Sequence, residues 1–229
     1  MDERKRIAIY GGTFDPVHSG HVEISKSVCK LFEIDEFLFM PARVAPHKVG
    51  QESAAAFDRH SMLALATQDE PRLSISRFEL DGAGRQFTVD TLSHFREHCA
   101  DVVDLFFVMG ADSWMEIKTW REWSRLPVLA NLVVVTRPGS TISVDAAKET
   151  SAPIEDVRGA GSALAAVEAN RPKIFFSDVV SMDVSSTTVR HAVRQNDFEK
   201  LKQLVPSAVA DYIRKYRLYR NTNEAKFKY

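Results

Sequence analysis

Residues 11–21 read GGTFDPVHSGH, and they lie between an apolar run at 7–10 and a helix-like apolar pattern at 22–32. The adjacent glycines Gly11 and Gly12 allow the backbone to approach a ligand closely and to adopt φ values that other residues avoid. The start of the following helix offers unpaired N–H groups and a partial positive charge. A strand, a glycine turn, a polar loop and a helix in this order predict a phosphate-binding site.

Two imidazoles stand at this helix start, because His18 and His21 are three residues apart. Both side chains can donate hydrogen bonds to phosphate oxygens, and both can carry charge near neutral pH. An ordinary turn with surface histidines is the alternative interpretation, and a Gly-Gly pair alone would favour it. The complete string between strand and helix favours the functional interpretation.

Composition limits the classes of protein to which this chain can belong. The 229 residues suffice for one α/β domain with a substantial core, and a net charge of −1 gives no general attraction to nucleic acid or membrane. Cys29 and Cys99 lack metal-site spacing and are typical of thiols in a reducing compartment. No signal-peptide pattern precedes the first strand, and no apolar run reaches the ~20 residues that span a bilayer. We therefore expect a cytoplasmic protein, and the sequence leaves a homo-oligomer open.

Strand-like and helix-like segments alternate along the chain, which predicts a Rossmann-like, doubly wound α/β fold. We expect a mainly parallel sheet with helices on both faces and a small helical C-terminal part. The expected strands are 7–10, 37–40, 73–80 with a break, 102–109, 132–136 and 173–176; the expected helices are 22–32, 57–67, one capped by Thr88, one capped by 185–188, 198–204 and 209–216. One domain is expected over 1–219, with a variable excursion at 140–171 that is helical around 163–169, followed by a polar tail at 220–229.

A second polar helix start occurs late in the chain, where residues 185–190 read SSTTVR. Its simpler interpretation is an N-cap followed by an exposed arginine. The functional interpretation is a second helix start that faces the same phosphates, with hydroxyls holding oxygens and Arg190 clamping charge.

Three other segments carry candidate ligand groups. Residues 41–48, PARVAPHK, form a basic loop after a buried strand; residues 110–112, GAD, precede Trp120; and residues 87–92 read FTVDTL. The alternatives are a solvated surface loop, a core tryptophan and a plain capped helix. A surface indole can stack on an aromatic ring, and a pyridinium would add a cation–π attraction. Trp114 and Trp123 are assigned to packing.

These motifs together resemble a known family. The string at residues 11–21 is similar to the His-x-x-His signature of the nucleotidyltransferases related to class I aminoacyl-tRNA synthetases, and within them the chain resembles bacterial nicotinate-nucleotide adenylyltransferases from residue 7 to about 219, apart from 140–171. The resemblance implies a fold with ATP across the strand ends. It also implies adenylyl transfer from ATP to nicotinate mononucleotide, giving nicotinate adenine dinucleotide and pyrophosphate in NAD biosynthesis. Mg²⁺ would arrive with ATP, and no protein metal site is expected.

The resemblance also assigns roles to individual residues. The ATP-binding group is Gly11, Gly12, Thr13, Phe14, His18, His21, Gly110, Asp112, Ser185, Ser186, Thr187 and Arg190. The acceptor-binding group is Asp15, His47, Lys48, Phe87, Thr88, Trp120 and Arg121, with Asp15 also expected to brace its loop. Catalysis is assigned to His18, His21, Arg190 and Lys48.

Two positions depart from the family pattern. Phe87 stands where the family usually has tyrosine, and Arg121 replaces the aromatic residue that often follows the stacking tryptophan. The helix start near Thr88 would favour a carboxylate over a neutral amide. Arg121 could strengthen carboxylate binding or alter the fit of the ring, so selectivity between the acid and the amide stays open.

Three competing functions remain. Other nucleotidyltransferases that share the opening string act on phosphopantetheine or glycerol phosphate, but they are not expected to combine it with the other segments. A non-catalytic nucleotide sensor would bind ATP without releasing pyrophosphate. A nucleic-acid binder is disfavoured, because the sequence has no basic stripe.

Overall fold

The computed structural model describes residues 4–43, 53–82, 86–99, 103–136, 142–160, 172–178 and 182–220. Seven strands form one sheet in the order β3-β2-β1-β4-β5-β7-β6, and every paired neighbour runs parallel. The strands are β1 Lys5–Gly12, β2 Glu36–Pro41, β3 Leu73–Ile75, β4 Val103–Gly110, β5 Asn131–Val135, β6 Ile154–Asp156 and β7 Ile174–Ser177. The expected Rossmann-like α/β fold is confirmed.

Helices connect these strands and complete the C-terminal part. They are α1 Ser19–Leu31, α2 Ala56–Thr67, α3 Phe78–Asp81, α4 Thr88–Cys99, α5 Ala111–Met115, α6 Leu126–Leu129, α7 Asp145–Lys148, α8 Ser186–Arg194, α9 Phe198–Leu204 and α10 Ser207–Tyr216, with single 3₁₀ turns at Ile117–Thr119 and Trp123–Arg125. No helix in these described ranges is both long and apolar enough to cross a membrane.

The sheet is apolar on both faces, because helices cover both. On β1, Ala8 belongs to the core cluster that α1, α2 and the C-terminal helices cover, whereas Ile9 belongs to the cluster beneath α4 and α6. The central strand β4 has Phe106 in the first cluster and Phe107 in the second. This burial on both faces explains why the central strands read as continuous apolar runs instead of alternating patterns.

The strand order of the sheet reverses between the neighbouring strands β1 and β4. It passes from β1 outward through β2 to β3, then returns to the other side of β1 and continues outward from β4. In open parallel sheets, ligands bind at the carboxyl ends of the strands at this reversal. Gly12, Pro41 and Gly110 end β1, β2 and β4 at this edge.

Several expected boundaries differ from the structure. The strand expected over 73–80 is wrong in its second half: it ends at Ile75, and Phe78–Asp81 is helical. The excursion at 140–171 contains the short helix α7 and the edge strand β6, which the sequence analysis did not predict. Helix α1 begins at Ser19, so His21 lies within it. The helix expected around 163–169 lies outside the described residues, and the extent of the domain stays a prediction.

Candidate active site

Gly11 and Gly12, the last two residues of β1, lie next to aromatic rings. A Cβ at Gly11 would lie 3.3 Å from the Phe107 ring, and a Cβ at Gly12 would lie 2.9 Å from the ring of Phe14. A larger residue at Gly12 would therefore force Phe14 to move. The glycine pair allows the end of β1 to lie close to these rings, and the close approach to a ligand that the sequence predicts stays a prediction.

Phe14 is a buried residue of the loop between β1 and α1. Its φ of 49° lies in the left-handed region, and its side chain is 3% exposed. Its ring packs edge-on against Tyr10, His21 and Phe39 at centroid distances of 5.4, 5.0 and 5.4 Å. This placement favours a packing role for Phe14 over the expected contact with ATP.

The two histidines form a stacked pair at the start of α1. Their ring centroids are 3.6 Å apart, with 23° between the planes. The His18 backbone N–H donates to Nδ1 of His21 at 3.2 Å. Because Nδ1 accepts this bond, the neutral His21 ring carries its proton on Nε2, which is then a hydrogen-bond donor.

The environment of His21 favours its neutral form. Burial lowers the pKa of His21 well below 6.5, and the neighbouring His18 imidazole lowers this pKa further. The side chain packs between His18 and the rings of Tyr10 and Phe14. At neutral pH, His21 therefore offers a neutral N–H donor instead of a positive charge.

The start of α8 packs directly against the loop of residues 11–21. Ser185 caps α8 by accepting a hydrogen bond from the Thr188 N–H at 3.1 Å. The Ser186 hydroxyl donates to the Pro16 carbonyl at 2.9 Å. A Cβ at Gly20 would lie 2.8 Å from Val184, which precedes α8. The two polar helix starts expected from the sequence are thus neighbours.

Arg190 lies inside this junction and is 7% exposed. Its guanidinium donates to the Asp15 carbonyl at 2.6 Å and to the Thr187 hydroxyl at 3.1 Å. The simpler interpretation of the sequence, an exposed arginine after an N-cap, is wrong, and the clamping of phosphate charge stays a prediction. In the structure, Arg190 joins α8 to the turn that precedes His18.

The Asp15 side chain points into the protein and is 1% exposed. Its Oδ1 accepts hydrogen bonds from the Tyr219 hydroxyl at 2.7 Å and from the Ala54 N–H at 3.0 Å. It does not line the cavity described below. The placement favours the bracing role of Asp15 over the expected contact with the acceptor.

Arg59 is a second brace, which the sequence analysis missed. It lies on α2 and is 2% exposed. Its guanidinium donates to the Thr13 carbonyl at 2.6 Å and to the Ala42 carbonyl at 2.7 Å. One buried side chain therefore joins the loops that follow β1 and β2. Its position within an ordinary amphipathic helix gave no sequence signal for this contact.

A cavity of about 340 Å³ opens at the same edge of the sheet. We refer to it as the sheet-edge cavity. Its lining residues come from β1, β2 and β4 and the residues just after them, from α3, from the start of α4, and from α5 and the segment after it. They are Ile9, Gly11, Gly12, Thr13, Met40, Ala42, Glu79, Gln86, Phe87, Thr88, Thr91, Phe107, Asp112, Ser113, Glu116, Thr119, Trp120 and Arg121. It brings together the expected acceptor residues Phe87, Thr88, Trp120 and Arg121 with Gly11, Gly12, Thr13 and Asp112 of the expected ATP group.

The aromatic wall of the cavity has a defined geometry. Trp120 is partly buried and meets Phe107 edge-on, at a centroid distance of 6.3 Å. The Arg121 guanidinium lies 5.0 Å from the centre of the Phe87 ring. Trp114 instead belongs to the core, where it packs against Phe176. Trp120 is thus the tryptophan that can present a ring surface to this cavity.

The remaining expected site residues do not line this cavity or lie outside the described ranges. His18, His21, Gly110, Ser185, Ser186, Thr187 and Arg190 do not line it. His47 and Lys48 lie outside the described residues. Arg43, whose role the sequence left open, donates to the carbonyls of Leu80 and Gly82.

Glu79, Gln86 and Thr91 are cavity residues that the sequence analysis missed. The Thr91 hydroxyl donates to Glu79 at 2.8 Å. Burial raises the pKa of the Glu79 carboxyl, although this hydrogen bond opposes the effect. Within the described ranges, no group of three or more histidine, cysteine, aspartate or glutamate side chains could hold a metal ion.

Comparison with known proteins relates this arrangement to a family. The cytidylyltransferase-like family model matches residues 9–192. The chain is 33% identical over 216 residues to the Clostridium tetani protein named "Probable nicotinate-nucleotide adenylyltransferase", covering 94% of this chain and all of the relative. It is 36% identical over 216 residues to the protein of the same name in Citrifermentans bemidjiense, covering 93% of this chain and 98% of the relative.

Solved structures share the fold. The Plasmodium falciparum nicotinic acid mononucleotide adenylyltransferase complexed with NaAD superposes with a TM-score of 0.71 at 21% identity, covering 94% of this chain and 97% of that one. The same enzyme complexed with APC gives a TM-score of 0.70 at 20% identity, with the same coverage. The family match spans most of the chain, and it includes both polar helix starts and the sheet-edge cavity. The chain belongs to the cytidylyltransferase-like family and, within it, to the nicotinate-nucleotide adenylyltransferases, as the motifs of the sequence indicated.

Proposed function

We propose that this protein transfers the adenylyl group of ATP to nicotinate mononucleotide, giving nicotinate adenine dinucleotide and pyrophosphate. One observation carries the proposal: the glycine turn and the aromatic wall line the same cavity. Gly11, Gly12, Thr88 and Trp120 all line it. A nucleotide held at the turn and a pyridine ring held at the wall would meet at the carboxyl end of β1.

The reaction needs no general base from the protein. An oxygen of the acceptor phosphate, which is already an anion at neutral pH, forms a bond to the α-phosphorus of ATP. The bond from that phosphorus to the oxygen bridging the α and β positions breaks, and pyrophosphate leaves with the bonding electrons. Positioning and stabilisation of charge then account for the rate.

We assign the donors of the phosphate site to the two helix starts. The neutral His21 would donate from Nε2 to a phosphate oxygen, and His18 would hold the adjacent phosphate. Hydroxyls and N–H groups at the start of α8 would complete the cradle. Arg190 would supply positive charge while fixing the Asp15 carbonyl, and Asp15 would act as a brace. A contribution from His47 and Lys48 stays a prediction.

Mg²⁺ enters this proposal as part of the nucleotide substrate. The ion would offset negative charge on the triphosphate. The two helix starts would supply hydrogen-bond donors to the phosphates and no carboxylate ligands to the ion. The cytoplasmic location and any homo-oligomer also stay predictions.

Pyrophosphate release tests the reaction directly. The purified protein is incubated with ATP and Mg²⁺ in parallel with nicotinate mononucleotide, nicotinamide mononucleotide or phosphopantetheine. We expect release with the first acceptor, accompanied by formation of the adenylated dinucleotide. Release with phosphopantetheine alone would assign the other acceptor class to the cavity. Tight ATP binding without release for any acceptor would favour a nucleotide sensor.

A further inference from the structure

The end of helix α3 is held by an arginine from a distant part of the chain. The Arg43 guanidinium donates to the Leu80 carbonyl at 3.2 Å and to the Gly82 carbonyl at 2.5 Å. Leu80 belongs to the single turn of α3, and Gly82 is its C-terminal cap residue. Carbonyl groups at a helix end have no partner within the helix. One side chain from the segment after β2 therefore supplies the donors for the end of α3.

The backbone that carries this guanidinium is itself fixed. The Ala42 N–H donates to the Gly12 carbonyl at 2.9 Å. The buried Arg59 donates to the carbonyls of Ala42 and Arg43 at 2.7 and 3.2 Å, and to the Thr13 carbonyl at 2.6 Å. Arg43 therefore extends toward α3 from a backbone that is bonded to the end of β1 and to α2.

The segment that Arg43 holds contributes to the sheet-edge cavity at both of its ends. Glu79 lines the cavity and accepts the hydrogen bond from the Thr91 hydroxyl. Gln86 also lines the cavity and lies against Gly82, because a Cβ at Gly82 would be 2.5 Å from Nε2 of Gln86. The two carbonyls that Arg43 binds lie between these cavity residues in the sequence. A displacement of residues 80–82 would therefore move both of them.

We propose that Arg43 is a positioning residue for the acceptor, because it holds the end of α3 and thereby sets the places of Glu79 and Gln86 in the sheet-edge cavity. The inference rests on the proposed function, since it assigns this part of the cavity to the pyridine mononucleotide. Gln86 directly precedes Phe87, which belongs to the proposed acceptor group. The bonds that hold Gly12 and Thr13 do not involve the Arg43 side chain, so loss of the guanidinium leaves the proposed ATP side in place.

The contact depends on the shape of the guanidinium more than on its charge. A guanidinium presents several N–H donors in a fixed plane, whereas an ammonium is a compact charge on a flexible stem. Arg43 is exposed, so its substitution removes little buried surface and should leave the unfolding midpoint close to that of the unchanged protein. The effect of the substitution should therefore be confined to the segment that it holds.

The first test is steady-state kinetics with ATP and nicotinate mononucleotide. For Arg43→Gln, we expect the KM for the mononucleotide to rise about 3- to 10-fold, the range for losing a hydrogen bond, while kcat and the KM for ATP change by less than about twofold. Arg43→Lys should give a KM between those of Arg43→Gln and the unchanged protein.

Arg77→Gln is the matched control. Arg77 is the N-terminal cap residue of the same helix, its side chain is 60% exposed and pairs with Asp81, and it does not line the cavity. Its KM for the mononucleotide should match that of the unchanged protein.

Hydrogen exchange without substrates is the second readout. Amide exchange over residues 78–82 should be faster in Arg43→Gln than in the unchanged protein, whereas exchange in β4 should be the same in both. A raised KM with unchanged exchange over 78–82 would mean that Arg43 acts on the ligand directly, and this result would overturn the positioning role.

The kinetic results also separate this inference from the proposed function. If the unchanged protein adenylates nicotinate mononucleotide and Arg43→Gln has the same KM for it, the reaction stands and only the role of Arg43 is overturned. If the unchanged protein adenylates neither pyridine mononucleotide, the proposed function fails, and the inference fails with it.

Discussion

The Tyr219 hydroxyl donates a hydrogen bond of 2.7 Å to Oδ1 of Asp15, which lies 204 residues earlier in the chain. Tyr219 is 8% exposed and Asp15 is 1% exposed, so water does not readily replace this bond. Asp15 precedes the histidine pair by three residues. Tyr219 therefore stabilises the loop between β1 and α1, for which we propose a role in ATP binding.

Tyr219→Phe should destabilise the protein and loosen this loop. The substitution keeps the ring but leaves the buried Asp15 carboxylate with one donor fewer, at a cost of about 1–3 kcal/mol. Urea unfolding measures the free energy, and the KM for ATP reports on the loop. Tyr216→Phe is the control, because Tyr216 is 52% exposed. Equal unfolding midpoints for the two variants would contradict the bracing role.

Arg59→Lys should have a larger effect, although it conserves charge. A single ammonium cannot reach the Thr13 and Ala42 carbonyls in the way that the guanidinium does. We expect a loss of at least about 2 kcal/mol in the free energy of unfolding. Hydrogen exchange should accelerate in residues 13–18 and at Ala42 more than in the central strand β4.

Arg77→Lys provides the comparison for Arg59→Lys. The Arg77 side chain is 60% exposed and pairs with Asp81 on the surface, so its substitution should change the free energy of unfolding by less than about 0.5 kcal/mol. Similar exchange in both variants would show that Arg59 does not hold the two loops together.

The features that the sequence predicts correctly are those set by residues adjacent in the chain. The Ser185 cap and the apolar central strands each follow from neighbouring residues, and the structure contains them, whereas Gly11 and Gly12, expected in a turn, are the last residues of β1. Trp120 and Arg121 required the family resemblance, because the same residue types occur on ordinary surfaces. The contact of the Arg121 guanidinium with the Phe87 ring joins distant parts of the sequence.

Long-range contacts account for most of what was missed. Arg59 resembles any arginine on an amphipathic helix, and Tyr219 lies beyond the last expected helix. Strand β6 carries little hydrophobic signal, because Ile154 is 38% exposed and the strand is fixed by backbone pairing with β7. The strand predicted over 73–80 was wrong beyond Ile75. Apolar residues recur at Phe78 and Leu80, but the pairing with β2 ends at Ile75.

Alanine substitutions at Gly20 and Gly110 distinguish a steric clash within the fold from contact with the nucleotide. Gly20→Ala would place a Cβ 2.8 Å from Val184 and should separate α1 from the segment before α8, lowering both stability and turnover. A Cβ at Gly110 meets nothing within 4 Å. Gly110→Ala should therefore fold normally, and a raised KM for ATP would report contact between Gly110 and the nucleotide. A large loss of stability for Gly110→Ala would contradict this interpretation.

His21→Asn tests the donor that we assign to the reacting phosphates. The asparagine carbonyl can replace Nδ1 as the acceptor from the His18 N–H, but nothing replaces the Nε2 donor. We expect kcat to fall about 10²- to 10³-fold, as for other preorganised donors to transition-state charge. Near-normal turnover in a folded variant would remove His21 from the catalytic group.

The lowered pKa of His21 also makes stability depend on pH. An unfolded histidine takes up a proton near pH 6.5, whereas folded His21 does so only at a much lower pH. Below pH 6.5 the unfolded state binds more protons, so the free energy of unfolding falls by up to about 1.4 kcal/mol per pH unit as pH decreases. This contribution is fully present above pH 6.5 and is lost progressively toward the pKa of the folded state.

The measurement is urea unfolding of the unchanged protein and His21→Asn at pH 7.5, 6.5 and 5.5. The unchanged protein should lose more free energy between pH 6.5 and 5.5 than the variant does, since the asparagine does not titrate. His60→Asn, which replaces a histidine outside the site, should keep the steeper dependence. If all three proteins show the same dependence, His21 binds its proton near pH 6.5 in both states, and the lowered pKa of folded His21 is contradicted.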